Sequence, residues 1–235
     1  MKRAILILIA AVVPALLLPA GSGARANLKL LTERLAARPL QQRRVTGRTL
    51  VSDSLPPIRI SFGKEFKYVG TQSFILYNNA QVEQFFFVSA SRGNRIRQMF
   101  MVQFEGYLPS NTNTYSYDLK DKVTLGGLDF MYDMAAFNVA AFRKSYPDSD
   151  TAHAASFLEG KGYYLEGEEV LFQRFVRLVD DARRNELLII YSENLGGTGL
   201  TAADLSEKGR AASRRDKVFK DLSKRALKSF KVSQN

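Results

Sequence analysis

The chain has 235 residues, 46% of them hydrophobic, with 16 Phe, 10 Tyr, no Cys and no Trp, and a formal net charge of +11. That apolar content excludes a mostly disordered chain and suffices for one packed domain. The absence of cysteine excludes disulfides, a thiolate nucleophile and thiolate metal ligands, so stability has to come from core packing.

Lys2 and Arg3 precede an uncharged apolar run from Ala4 to Leu18, and Ala24-Arg25-Ala26 forms a small-x-small cleavage site. This is the layout of a secretory signal peptide over residues 1–26. The rival reading is a retained membrane anchor. The run is shorter than the ~20 residues a spanning helix needs, which favours cleavage. Without Cys the chain is not a lipoprotein, and an exported, cysteine-free globular chain points to a bacterial periplasm.

The charge is uneven. Residues 27–44 carry five cations against Glu33, and residues 208–231 carry ten against Asp216 and Asp221, so a mildly acidic body lies between basic ends. Within the basic N-terminal segment 27–44, residues 27–38 read as a short amphipathic helix capped by Asn27 and stopped by Pro39. From residue 45 the period changes to two. Ile58, Ile60 and Phe62 alternate with Arg59 and Ser61, and apolar runs at 74–77 and 85–88 flank the turn signal Asn78-Asn79. Residues 95–105 give the clearest strand, with Ile96, Phe100, Val102 and Phe104 on one face and Met99, Met101, Gln103 and Glu105 on the other. Tyr115 to Tyr117 starts another strand in this reading. Lys122 to Met131 forms a further one, bent near Gly126-Gly127.

Asp148 to Gly160 reads as a helix capped by Asp148 or Ser149. Residues 168–179 and 186–193 are rich in aliphatic and aromatic residues and read as a hairpin closed by 180–185. Gly196 to Gly199 is a break. Thr201 then caps a basic C-terminal helix spanning 201–231, with Phe219, Leu222, Ala226 and Phe230 on one face. The expected fold is therefore α+β: one domain over 45–235 in which a curved, mostly antiparallel sheet packs against a long C-terminal helix and one internal helix.

No motif specifies a reaction. The one histidine, His153, lies in an Ala-rich helix with no nucleophile motif around any serine, so packing explains it better than catalysis. Gly196 to Gly199 lacks the Gly-Lys-Ser/Thr of a phosphate loop and the glycine spacing of a dinucleotide loop, so no cofactor is expected. Asp148 and Asp150 ahead of a helix suit capping more than a metal. Glu65, Glu83 and Glu105 offer carboxylates for glycoside-type hydrolysis, but nothing in their spacing selects a pair.

Two features carry more. Met99 and Met101, flanked by Gln103, Glu105 and Tyr107, suit the wall of a cavity for a partly apolar ligand, against the alternative that a helix covers them. Arg174 shares a strand face with Val170, Phe172 and Val176 and needs a carboxylate partner, for which Glu105 or Glu186 is available. The second feature is the row Lys217, Lys220, Lys224, Arg225 and Lys228 on the C-terminal helix. In an exported protein this row points to anionic lipid or polymer surfaces rather than nucleic acid, against the alternative of a solvated face. The reading is an exported, non-enzymatic binding module for a partly apolar small ligand. Its rivals are an envelope-interaction protein with basic termini and a carboxylate hydrolase. No feature specifies an oligomeric state.

Overall fold

The computed structural model describes residues 42–235, so the signal peptide expected at 1–26 and the helix expected at 27–38 both lie outside the described residues. Two mostly antiparallel sheets organise the described residues. The smaller contains β1 (Arg43–Thr46), β2 (Thr49–Ser52), β3 (Ile58–Phe62) and the C-terminal β12 (Phe230–Ser233), in the order β1-β2-β3-β12. The larger contains β4 (Lys67–Leu76), β5 (Ala80–Ala90), β6 (Arg95–Tyr107), β7 (Lys122–Leu125), β8 (Leu128–Asn138), β10 (Glu169–Leu178) and β11 (Asn185–Asn194). Its order is β4-β5-β6-β11-β10-β8-β7, and the two-residue β9 (Tyr164–Leu165) pairs in parallel with the start of β6. Among the described residues three α-helices complete the fold: α1 (Val139–Ser145), α2 (Asp150–Gly160) and α3 (Arg215–Ser229). The expected α+β architecture is what the chain adopts.

The strand periodicity explains how the large sheet is used on both faces. Phe100, on the even face of β6, packs within about 5 Å of the rings of Phe62, Phe66, Tyr191 and Phe230, joining the large sheet to the small one. Phe219, Leu222 and Ala226 of α3 are buried in the same core. Each large side chain removed from water here contributes roughly 1.5–3 kcal/mol. The odd face of β6 looks the other way, toward α2, where Phe86 stacks on Phe157 at 4.9 Å and Met101, Val176 and Leu188 cluster with Leu158.

Several local expectations need correction. The segment around Tyr115 to Tyr117 is irregular, because its tyrosines are spent on side-chain contacts with the sheet rather than on a ladder. Lys122 to Met131 is a hairpin rather than one bent strand. Gly126 and Gly127 take φ of 58° and 80°, which makes them the turn between β7 and β8. A second internal helix, α1, follows β8 directly and is capped by Asn138, whose side chain accepts from the Ala141 amide. Arg43 and Arg44, placed with the N-terminal segment, are the first two residues of β1.

The C-terminal helix is also shorter than 201–231. Thr201 and Asp204 exchange the reciprocal bonds of a capping box, but no helix follows. Arg210 closes back onto Asp204, and a Cβ at Gly209 would meet the Asp204 carbonyl at 2.2 Å, so the chain turns tightly here. The helix begins at Arg215. It ends at Ser229 because Phe230 swings to an extended conformation and pairs with Phe62 in the small sheet. Phe230 still reaches the core that the helical stripe assigned to it.

Candidate functional site

The helix α2 lies over the odd face of β6, and that face is divided along its length. Register sets the division. Met99 stands opposite Val88 and Ser192, Met101 opposite Phe86 and Ile190, Gln103 opposite Gln84 and Leu188, and Glu105 opposite Val82 and Glu186. One end is apolar; the other is a row of buried amides and carboxyls.

At the apolar end a cavity of about 210 Å³ opens between α2 and the sheet. Met99 and Met101 form part of its floor with Phe172 and Ile190, and Ala154, Ala155 and Leu158 of α2 form its roof. The Ala-rich sequence of α2 is what leaves the space, since short side chains keep the helix seated without filling the gap. A cavity of this size exceeds the one of about 150 Å³ that admits benzene in a well-studied engineered protein. Charged groups ring the mouth. Arg143 is held bidentately by Glu159, Glu168 lies beside them, and Arg95 sits over the Tyr164 ring at 5.6 Å with no carboxylate partner among the described residues.

The polar end holds a chain of hydrogen bonds. Gln72 donates to Gln84, Gln84 to Gln103 and Gln103 to Glu105, at 2.6, 2.6 and 2.8 Å. Tyr115 donates to Glu105 at 2.9 Å and Tyr117 to Glu186 at 2.7 Å. Burial raises Glu105 to about 7, with Asp150 adding to the effect. Burial, followed by the charge of Glu105, raises Glu186 to about 8. Both carboxyls therefore hold their protons well above the ordinary carboxylate range. The same burial and the adjacent carboxyls hold the Tyr115 and Tyr117 hydroxyls in their protonated, donating form.

The structure sorts the residues singled out in the sequence. Met99 and Met101 line the cavity. Gln103 and Glu105 belong to the polar row beside it. Tyr107 lies outside the cavity and stacks on Tyr115 at 4.3 Å, holding the 108–121 segment against the sheet. Arg174 pairs with neither Glu105 nor Glu186. Asp133 stands directly opposite it on β8 and takes it bidentately at 2.9 and 2.7 Å, whereas Glu186 stands opposite Leu178.

On α3, Lys217, Lys220, Lys224 and Lys228 are exposed, Lys217 pairing with Asp221 at 2.7 Å. Arg225 differs from this row: its guanidinium grips Glu193 of β11 bidentately and fastens α3 to the sheet. Among the basic residues near the N-terminus, Arg43 is half-buried, paired with Glu83 and lying over the Phe104 ring, and Arg44 pairs with Asp53. His153 stacks on Phe74 at 4.0 Å, a packing role. Ser149, not Asp148, caps α2, and among the described residues no group of three His, Asp or Glu is placed to hold a metal ion.

Sequence reasoning missed Asp133, Tyr115 and Tyr117 as partners of the buried charges, and missed the roof of the cavity. The one available signal for the roof is the run of small residues at 152, 154 and 155. No protein-family model matches the chain, and no curated protein or solved structure shows significant similarity to it.

Proposed function

We propose that the protein is an exported, non-enzymatic module that binds a small, partly apolar ligand between α2 and the large sheet. The observation that carries this reading is the cavity of about 210 Å³ floored by Met99 and Met101. Methionine gives an adaptable apolar wall. The charged mouth, where Arg95 has no carboxylate partner among the described residues, suits a ligand that keeps a polar end in water. The size suits a single ring or a short alkyl group. Glu105 and Glu186 do not favour hydrolysis: both are buried and hydrogen-bonded to tyrosine hydroxyls rather than presented in an open cleft.

Native mass spectrometry of the protein purified from its own cells tests the reading. A retained small molecule, lost on Ala154→Leu, is the expected result. No retained mass, together with no shift of the Met99 and Met101 methyl resonances on adding small apolar probes, would overturn it.

One observation favours a second reading, association with an anionic envelope surface. Lys217, Lys220, Lys224 and Lys228 are all exposed on α3. Salt-sensitive binding to anionic vesicles, abolished by changing Lys220 and Lys228 to Glu, is its expected signature. Binding unchanged by those substitutions would exclude it.

A further inference from the structure

The polar row and the cavity share one helix. The N-terminal turn of α2 rests on the row: Gln84 donates to the Asp150 carbonyl at 3.3 Å, and Gln103 approaches the Asp150 carboxylate at 3.5 Å. The body of the same helix, from Thr151 to Glu159, roofs the cavity. Whatever moves the first turn of α2 therefore moves the roof.

Glu105 and Glu186 are buried side by side beneath that turn. The charged and titratable groups around them offer little to neutralise a negative charge. From α2 and the residues before it come Asp150 and Asp148, both acidic. From the covering segment come the Tyr115 and Tyr117 hydroxyls, and Tyr77 and Tyr107 lie at the rim. From β10 comes Arg174, already committed to Asp133 of β8. Arg184, in the turn between β10 and β11, spends its guanidinium on the Leu108 and Asn113 carbonyls. A proton lost from the pair leaves a buried anion facing Asp150 with no free cation among the described residues to meet it.

We propose that the Glu105–Glu186 pair gates the cavity: with both carboxyls protonated α2 is seated on the sheet, and their ionisation unseats its N-terminal turn and releases the ligand. The proposal rests on the reading of the cavity as a ligand site and assigns that site its regulation, retention at mildly acidic pH and release at alkaline pH. The alternative outcome of ionisation, a carboxylate accommodated by the two tyrosine hydroxyls without movement, is what the experiment has to separate.

The test uses the full-length chain with methyl-labelled methionine, benzene as the apolar probe, and amide hydrogen exchange of α2 corrected for intrinsic rates, at pH 6 and pH 9. In the native sequence, benzene affinity read at Met99 and Met101 and the protection of Ala152 to Leu158 should each fall by about fivefold or more from pH 6 to pH 9. The E105Q/E186Q variant, neutral at both pH values and still able to accept both tyrosine hydrogen bonds, should show neither change. If α2 protection in the native chain is the same at both pH values, the gate is overturned while the cavity reading stands. An equal fall in the native chain and the variant also overturns it, since another group would then be responsible. Absence of any benzene shift at pH 6, with α2 protection still falling in the native chain alone, would sink the cavity reading and leave the helix switch standing.

Discussion

Arg174 and Asp133 face each other across β10 and β8, joined by two hydrogen bonds at 2.9 and 2.7 Å, and this pair neutralises the charge in the middle of the α2-facing surface of the sheet. The side chain of Arg174 is 9% exposed and that of Asp133 30%. Asp133→Ala would strand the guanidinium. The expected cost is about 2–3 kcal/mol, below the about 3–5 kcal/mol of fully buried pairs because Asp133 keeps contact with water. Adding Arg174→Met should recover most of the loss, since the apolar replacement no longer needs a partner. Denaturant midpoints of the single and double variants check this.

Stability should fall with rising pH on account of Glu105 and Glu186. Their folded-state values lie above the ordinary value of 4.5, at about 7 and about 8. The folded protein therefore binds more protons than the unfolded chain in this interval, and its stability declines as pH rises. The contribution of the pair is full below about pH 4.5 and is lost as pH rises through 7 to 8. Denaturant unfolding of the native chain and of E105Q/E186Q between pH 4 and 9 should show a decline in the first that is flattened in the second. Parallel curves would contradict the assignment.

Ala154 and Ala226 are both buried helical alanines, yet they should tolerate enlargement unequally. Ala154 borders the cavity, whereas Ala226 is fully buried where α3 meets the core. Ala154→Leu has space to enter and should cost less than about 1 kcal/mol, while Ala226→Leu should cost the about 1–3 kcal/mol of an overpacked core. Thermal or chemical unfolding of the two variants makes the comparison.

Gly126 ties the β7–β8 turn to the C-terminal strand. Its φ is 58°, and a Cβ there would fall 2.2 Å from the Val232 carbonyl oxygen. Gly126→Ala should therefore destabilise by more than about 1 kcal/mol, whereas Gly93→Ala, at a comparable φ of 75° but in open space, should cost less. Unfolding midpoints of both variants isolate the contact with β12 from the backbone strain they share.

Much of the fold was legible because its signals are local. Ile58 to Phe62, residues 95–105 and the hairpin over 168–193 follow the two-residue period that a sheet face imposes, and Ser149 before an Ala-rich run is a helix start wherever it occurs. Tyr115 to Tyr117 misled because an aromatic alternation reads as a strand unless its hydroxyls have buried acceptors, and Glu105 and Glu186 supply those from far along the chain. Thr201 misled in the same way: the cap formed, but Gly209 and the Asp204–Arg210 pair turned the chain before a helix could grow.

By itself the sequence determined which faces are apolar, where Met99 and Met101 would point and that charge gathers at the C-terminal helix, since side-chain periodicity and charge order are properties of neighbours in the chain. Only the tertiary structure decided that Arg174 meets Asp133, that Glu105 stands opposite Glu186 and that Arg225 is bound to Glu193 rather than free. It alone decided that small residues on α2 leave a cavity above the methionines. Pairing across strands depends on register and burial depends on what lies overhead, and neither is written in any one stretch of sequence.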